Sequence, residues 1–428
     1  MLLIKNGLII DPQSKKEYPA DLLLDGPVIA EIGTCIDSKA CDTVIDASGC
    51  VVASGLVDVH VHFRDPGQTY KEDIRTGAAA AAAGGFTTVI TMANTKPPAD
   101  NPDTLRYIIE EGRKTGIHVL PAAAITREMK GRQLVDMEAL KAAGAVGFTD
   151  DGIPLMDQSL VKQAMDQAAR LNLPLSFHEE DPAFIKKNNN GINQGEISAI
   201  LGIDGSPSLA EDSLVARDCM IALHTQAHIN IQHISSKNAV ELVRTAKKMG
   251  ARISAEVTPH HFTLTEKAVL EKGTLAKMNP PLRTEADRQA LIQGLTDGTI
   301  DLIATDHAPH SPEEKARPLT EAPSGIIGLE TALALAITEL AIPGHLSLPQ
   351  IIEKMSLNPA RLYHLKCGSI QPGAPADIVI FNPKETWTVT KFHSKSSNSP
   401  FIGRQLTGKV KWTICSGKIV YQDKGTDG

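Results

Sequence analysis

Aromatic residues are scarce in this 428-residue sequence: Phe, Trp and Tyr together make up 4%, whereas 42% of the residues are hydrophobic. A core of this composition must be built mainly from Ala, Val, Ile and Leu, which suits helices packed on buried parallel strands. The chain is longer than one ordinary domain, although α/β barrels often reach about 200–250 residues as a single domain. We therefore expect one large barrel and a smaller second domain.

The sequence also lacks the signals of several protein classes. Its formal net charge is −7, whereas nucleic-acid-binding domains usually carry a basic stripe. It has no run of about 18 apolar residues, and Lys5 interrupts the N-terminus too early for a signal peptide. The six cysteines form no CxxC pair, which in a long chain is typical of reduced thiols. We expect a cytoplasmic protein with no membrane segment and no nucleic-acid partner.

The two ends of the chain differ from its middle. Residues 1–53 and 366–428 contain short strands separated by turn residues, and we expect them to form one composite β-sandwich domain. Residues 54–365 alternate apolar strands with helices, which predicts an α/β fold of the (β/α)8 TIM-barrel type. A doubly wound sheet is the alternative, but no glycine-rich phosphate turn follows a strand. The predicted barrel strands are Val57–His62, Phe86–Met92, His118–Ala122, Ala145–Thr149, Pro174–His178, Asn230–His233, Arg252–Val257 and Leu302–Thr305.

Two histidines stand at the end of the first predicted barrel strand. His60 and His62 are two residues apart, so in a strand they share one face. The carboxyl ends of barrel strands are where active sites lie, and imidazole suits zinc and similar divalent metals. A chance pair on a polar surface is the alternative, and it is less expected at the tip of an apolar strand.

Other candidate ligands end further strands, and they are Asp150 or Asp151, His178, His233 and Asp306. Each alone is compatible with a capping aspartate or a buried structural histidine, but strand tips converge on one pocket. Four imidazoles and two carboxylates can hold two divalent ions if one carboxylate bridges them. Such ions polarise a carbonyl and lower the pKa of bound water to about 7. Asp306 is placed to ligate and to accept the proton of the attacking water. These features predict a metal-dependent hydrolase of a cyclic amide.

Seven motifs extend this pattern over nearly the whole chain: HVHFRDPG at 60–67, TMANTKP at 91–97, FTDDG at 148–152, SFHEED at 176–181, QHISS at 232–236, KMNPPLR at 277–283 and ATDHAPH at 304–310. Together they resemble the bacterial type I dihydroorotases of the amidohydrolase superfamily. The resemblance implies reversible hydrolysis of (S)-dihydroorotate to N-carbamoyl-L-aspartate in pyrimidine (UMP) biosynthesis. It also implies a (β/α)8 barrel with a small β-sandwich.

The resemblance further implies one or two zinc ions per subunit. His60, His62 and Asp306 would hold the first ion, and His178 and His233 the second. Asp151 would bridge the two ions. Many relatives bridge with a modified lysine, but residues 148–151 offer none, which matches the aspartate-bridged type I pattern.

The same resemblance implies the substrate contacts. Arg64 and Asn94 would bind the substrate carboxylate, with His310 nearby and the ligand His62 beside them; the guanidinium fork of arginine suits a carboxylate. Asn279 and the backbone of Ser324 and Gly325 would hold the ring amide. From the residues alone, both asparagines are equally typical of turns beside prolines. Residues 311–324 form a polar segment that is either a surface loop or an active-site loop that excludes water.

Two other functions remain as alternatives. One is another cyclic amidohydrolase, such as a dihydropyrimidinase or an allantoinase. The other is a non-catalytic scaffold for aspartate transcarbamoylase, which the complete ligand set makes less favoured. The resemblance implies a homodimer and allows a complex with aspartate transcarbamoylase. We interpret His118 and the remaining histidines as structural or surface residues.

Overall fold

The computed structural model describes residues 1–39, 41–186 and 191–425 of the chain. The first residues form short, mostly extended segments whose apolar side chains face one buried layer. These strands are β1 (Leu2–Asp11), β2 (Lys16–Asp25), β3 (Val28–Gly33), β4 (Thr43–Asp46) and β5 (Val51–Ser54). β1 pairs antiparallel with β2 and parallel with β4 and β5.

Parallel strands occupy the middle of the chain. Within the described ranges they are β6 (Leu56–Val61), β7 (Phe86–Thr91), β8 (His118–Pro121), β9 (Phe148–Thr149), β10 (Leu175–Phe177), β11 (Ile229–Ile231), β12 (Ile253–Val257) and β13 (Leu302–Ile303). β6 to β8 form one sheet in chain order, and β9 to β13 form a second. Isolated parallel bridges link the edges of the two sheets, from Ala123 to Phe148 and from Val61 to His307.

The last strands return to the first sheet. They are β14 (Ile378–Thr388), β15 (Gln405–Cys415) and β16 (Lys418–Gln422). β14 pairs antiparallel with β5, which gives the strand order β16-β15-β14-β5-β1-β2-β3, with β4 attached to β1. Both ends of the chain therefore share one sheet, while the exact domain boundaries stay a prediction.

The helices lie between the parallel strands and after them. They are α1 (Ile74–Ala83), α2 (Pro102–Arg113), α3 (Met137–Ala142), α4 (Gln158–Leu171), α5 (Glu196–Ile200), α6 (Leu209–Thr225), α7 (Lys237–Lys248), α8 (Pro259–Thr263), α9 (Ala268–Lys272), α10 (Glu285–Asp297), α11 (Pro312–Lys315), α12 (Ala332–Ala336), α13 (Leu348–Ile352) and α14 (Asn358–Leu362). Side-chain caps at Asp157, Ser236 and Thr284 begin α4, α7 and α10, because these side chains accept otherwise free N–H groups. Among the described residues, no helix has both the length and the apolar character that a bilayer span requires.

Most predicted element bounds agree with the structure to within a few residues. The fourth barrel strand is shorter than predicted: it begins at Phe148, whereas the predicted strand began at Ala145. α1 begins at Ile74, since the Asp73 side chain accepts the N–H of Thr76 and so caps the helix. β14 is continuous from Ile378 to Thr388, with an irregular register between Asn382 and Thr386.

Candidate active site

The two histidines of β6 are buried at its carboxyl end. His60 and His62 are 0% and 6% exposed. The Nδ1–H of His60 donates to Glu256 Oε1 at 2.5 Å, and that of His62 donates to Asn94 Oδ1 at 2.9 Å. Each bond places the ring hydrogen on Nδ1. The two Nε2 atoms are therefore left as free lone pairs that face the cluster centre.

Two carboxylates face these lone pairs. Asp306 Oδ1 lies 3.0 Å from Nε2 of His62 and 3.5 Å from Nε2 of His60. Asp151 lies 3.3 Å from His60 Nε2 through Oδ1 and 3.4 Å from His62 Nε2 through Oδ2. Asp151 follows β9, and Asp306 follows β13. These distant segments meet here because the carboxyl ends of parallel strands lie at the same edge.

A second pair of imidazoles lies on the other side of Asp151. His178 Nδ1 and His233 Nε2 are 2.9 Å apart, and they lie 3.9 and 3.8 Å from Asp151 Oδ1. The other nitrogen of His178 is 3.2 Å from Glu180, which directs Nδ1 towards the cluster. Asp151 thus belongs to two groups of possible ligands, one with His60 and His62 and one with His178 and His233.

This donor set fits divalent cations. Lone pairs and carboxylate oxygens face one another at 3.0–3.5 Å, an arrangement that is repulsive unless positive charge lies between them. His60 Nε2 and Asp151 Oδ1 are also buried with no hydrogen-bond partner among the described residues. Burial lowers the pKa of His60, but the charges of Asp151, Glu256 and Asp306 outweigh it and raise this pKa well above its usual value. The site therefore favours positive charge, and its residues could hold metal ions.

The structure separates the two adjacent aspartates that the residue pattern left as alternatives. The Asp150 carboxylate accepts the backbone N–H groups of Ile125 and Thr126, at 2.7 and 3.1 Å, and the Thr126 hydroxyl. Burial raises the pKa of Asp150 to about 6. Asp150 thus anchors the loop after β8, whereas Asp151 lies in the histidine cluster.

Glu256 is an important residue that the sequence reasoning missed. It is fully buried within β12, where its polar side chain points into the same space as His60. Its Oε2 accepts a hydrogen bond from Asn230 at 2.9 Å, and Oε1 also accepts the backbone N–H of His233 at 3.2 Å. Glu256 therefore orients one histidine through its ring and another through its backbone. The sequence feature that could have identified Glu256 is a charged residue inside an otherwise apolar strand.

A cavity of about 340 Å³ opens directly onto the cluster. All of the residues that the sequence predicted for substrate contacts line it, and they are His62, Arg64, Asn94, Asn279, His310, Ser324 and Gly325. Asp151, His178, His233 and Asp306 line it as well. The predicted binding residues and most of the predicted ligands thus face one space.

Arg64 supplies a cation to this cavity. Its Nε–H donates to the backbone carbonyl of Pro309 at 3.3 Å, and its terminal nitrogens make no other hydrogen bond within the part of the chain that the structure describes. Burial lowers the pKa of Arg64, because few groups replace the water that a guanidinium would otherwise bind. A ligand carboxylate would supply the missing partner.

The other wall of the cavity comes from residues 279 and 324. Asn279 Oδ1 and Ser324 Oγ are buried without a hydrogen-bond partner among the described residues, so each is available to a ligand. His310 Nε2–H donates to the carbonyl of Ser324 at 2.9 Å. Burial and the cations Arg64 and Lys71 lower the pKa of His310 to about 2, which makes it a neutral support for this segment.

Two buried lysines hold the polar segment 311–325 against the protein. Lys277 Nζ donates to the carbonyls of Leu319 and Ala322, and Lys315 Nζ donates to those of Pro323 and Gly325. The segment also contains the short helix α11, which the sequence did not predict. It is thus packed beside the cavity, and the lysines are contacts that sequence reasoning missed.

We expect the two neighbouring aspartates to respond differently to replacement by asparagine. Asp151→Asn removes charge from the cluster and should abolish tight metal binding while the metal-free protein keeps its stability. Asp150→Asn leaves donors unpaired and should lower the free energy of unfolding by about 1–3 kcal/mol, with metal binding retained. Metal titration and urea denaturation of both variants measure this. Loss of metal in Asp150→Asn alone would contradict the assignment.

We expect Glu256→Gln to weaken metal binding by roughly 10–100-fold. The amide cannot accept all three hydrogen bonds, so the His60 ring loses its orientation. Titration against a coloured chelator measures the affinity, and exposed Glu271→Gln is the matched control. Affinity within twofold of the unmodified protein would show that Glu256 does not position the cluster.

Known proteins resemble this chain over its whole length. A family model described as "Dihydro-orotase-like" matches residues 49–239. The chain is 60% identical to a dihydroorotase of Clostridioides difficile over 421 residues, which cover 98% of this chain and 100% of the relative. It is 54% identical to a dihydroorotase of Clostridium acetobutylicum, over 99% of this chain and 100% of the relative.

Solved structures share the fold at lower identity. L-hydantoinase (dihydropyrimidinase) from Arthrobacter aurescens superposes with a TM-score of 0.89 at 24% identity, covering 98% of this chain and 96% of that chain. D-hydantoinase (dihydropyrimidinase) from Thermus sp. gives 0.85 at 25% identity, with coverage of 100% and 97%. Because full-length relatives share more than half of its residues, the chain belongs to the dihydroorotase family.

Proposed function

We propose that this chain is a catalytic dihydroorotase that reversibly hydrolyses (S)-dihydroorotate to N-carbamoyl-L-aspartate in de novo pyrimidine (UMP) biosynthesis. The observation that carries the proposal is that Arg64 faces the same cavity as the histidine–aspartate cluster. A cyclic amide that bears a carboxylate satisfies both features. Full-length relatives named dihydroorotase support the same reaction.

We also propose that β6 to β13 close into one (β/α)8 barrel spanning residues 54–365. The bridges between Ala123 and Phe148 and between Val61 and His307 support closure, since they join the free edges of the two parallel sheets. Residues 1–53 and 366–428 would form the composite β-sandwich domain. Its support is a separate apolar cluster that includes Ile4, Ile378 and Ile414.

In this proposal, His60, His62 and Asp306 would hold one divalent ion and His178 and His233 would hold a second, with Asp151 shared between the two groups of ligands. We propose zinc, one or two ions per subunit, since imidazole and carboxylate ligands suit it. When bound, the metal supplies Lewis acidity that polarises the ring carbonyl and acidifies a water molecule.

Asp306 is the proposed catalytic base. As a proposed metal ligand it must be deprotonated, so it enters the reaction as a carboxylate. It accepts a proton from water as the water oxygen bonds to the ring carbonyl carbon. It then delivers that proton to the amide nitrogen as the C–N bond breaks.

The remaining residues orient the substrate. Arg64 and Asn94 bind its carboxylate, and the partnerless terminal nitrogens of Arg64 support this role. Asn279, with the backbone of Ser324 and Gly325, binds the ring amide. Neutral His310 donates a hydrogen bond to the Ser324 carbonyl and so supports this backbone. His62 is hydrogen-bonded to Asn94 and so helps to position it. The homodimer and the association with aspartate transcarbamoylase stay predictions of the resemblance.

Turnover of purified, zinc-loaded protein on L-dihydroorotate, dihydrouracil and allantoin tests the proposal. We expect activity on dihydroorotate alone, measured as the loss of its ring absorbance. A chelator should abolish this activity. Activity on a control substrate only would keep the metal chemistry but assign another cyclic amidohydrolase. Folded, metal-loaded protein without any activity would favour the scaffold alternative.

We expect Arg64→Lys to raise KM for dihydroorotate by roughly 10–100-fold, because hydrogen bonds to a charged group contribute about 1.5–3 kcal/mol and lysine cannot form the bidentate pair. Steady-state kinetics measure this, with Arg75→Lys on the exposed side of α1 as the matched control. An unchanged KM and kcat would remove Arg64 from the binding site.

A further inference from the structure

Three potential metal ligands meet at the opposite end of the parallel strands from the cavity. His118 is the first residue of β8, Asp377 directly precedes β14, and Cys415 is the last residue of β15. Ligand atoms of the three side chains all lie within 4.8 Å of one another. His118 and Asp377 are 259 residues apart in the sequence, so only the fold brings them together.

The spacing of this cluster suits a tetrahedral ion. His118 Nε2 and Asp377 Oδ2 are 3.2 Å apart, whereas two ligands at about 2.0–2.1 Å from a tetrahedral zinc lie about 3.4 Å apart. Asp377 Oδ1 is already held, because it accepts the backbone N–H of Ser416 at 2.8 Å. This bond fixes the carboxylate, and Oδ2 accepts a hydrogen bond from His118 Nε2–H that a bound ion would replace.

Cys415 adds a ligand of a different kind. Its side chain is buried, its Sγ makes a long contact of 3.7 Å with the carbonyl of Thr87, and the thiol lies beside the Asp377 carboxylate. Burial and the neighbouring Asp377 carboxylate raise the pKa of this thiol. A cation bound between the two groups would reverse that effect, since metal ligation deprotonates a thiol.

An ion in solution can reach the cluster. His118 and Cys415 line a cavity of about 450 Å³ at the junction of the terminal sheet and the parallel strands. The His118 side chain is 42% exposed, whereas that of Asp377 is 4% exposed. The buried carboxylate and thiol thus form the base of the site, and the imidazole lies at its entrance.

We propose that His118, Asp377 and Cys415 form a separate metal site for a thiophilic divalent ion such as zinc. The ion joins β8 of the parallel sheet to β14 and β15 of the terminal sheet, far from the catalytic cavity. Its role is structural, because residues at the amino-terminal ends of barrel strands act in stability and not in catalysis. The inference is independent of the proposed reaction.

Cobalt(II) distinguishes this site from the active-site cluster. The active-site ligands are nitrogen and oxygen atoms only, so a near-ultraviolet thiolate-to-cobalt charge-transfer band reports binding at a cysteine, and the Cys415→Ser variant shows whether that cysteine is Cys415. We expect the full, reduced, chelator-stripped chain to develop this band on titration with CoCl2. Cys415→Ser should abolish the band, whereas Cys219→Ser, which removes a buried thiol in α6, should keep it.

His118→Gln provides the second variant, since a half-exposed side chain can change without disturbing folding. We expect it to weaken the cobalt affinity reported by the band by roughly tenfold or more, with turnover of dihydroorotate unchanged. Absence of the band in the unmodified chain would overturn the proposal. A band that persists in Cys415→Ser, or an unchanged titration in His118→Gln, would also overturn it. If Cys415→Ser does not fold, the His118→Gln titration decides.

Discussion

The Glu256 carboxylate orients two of the four histidines of the cluster. It is fully buried, and a buried charge is tolerated only when hydrogen bonds replace its lost water. Its partners are the His60 ring, the His233 backbone and the Asn230 amide. These partners come from β6 and from β11 and its following turn, so one side chain of β12 sets the relative position of three strands. The free Nε2 of His60 follows from this contact.

Backbone strain is concentrated at the same end of the strands. Arg64, His233 and Asp306 have φ values of 61°, 34° and 48°, in the left-handed region that residues with a Cβ seldom occupy. Such conformations persist where the surrounding structure enforces them, and they occur most often at functional sites. Here each one follows a parallel strand and turns a charged or ligating side chain back over the strand end. The hydrogen bonds of the cluster offset that cost.

Much of this architecture could be predicted from the sequence because it depends on local patterns. Apolar runs located the parallel strands to within a few residues, and the short, turn-separated strands expected at both chain ends lie in one sheet. The His60–His62 spacing placed two imidazoles on one face because strand periodicity is two. These features need no knowledge of distant contacts.

Other features depend on contacts between distant segments, which one sequence does not contain. Periodicity could not separate Asp150 from Asp151, since only the loop at Ile125 and Thr126 determines which carboxylate is already occupied. Glu256 gave no motif, and its importance appears only when its side chain meets the His60 ring of β6. His118 was interpreted as structural or surface because Asp377 and Cys415 are remote in the chain. Residues 311–324 were predicted as a loop, but α11 and the lysine contacts depend on partners elsewhere.

The Lys277 contacts join the two chain segments that form one wall of the cavity. Lys277 is two residues before Asn279, and its side chain holds the carbonyls of Leu319 and Ala322 while its own carbonyl accepts the N–H of Gly325 at 2.9 Å. A displacement of either segment must therefore carry the other with it. A substitution in segment 311–325 consequently acts on Asn279 through Lys277, without touching it.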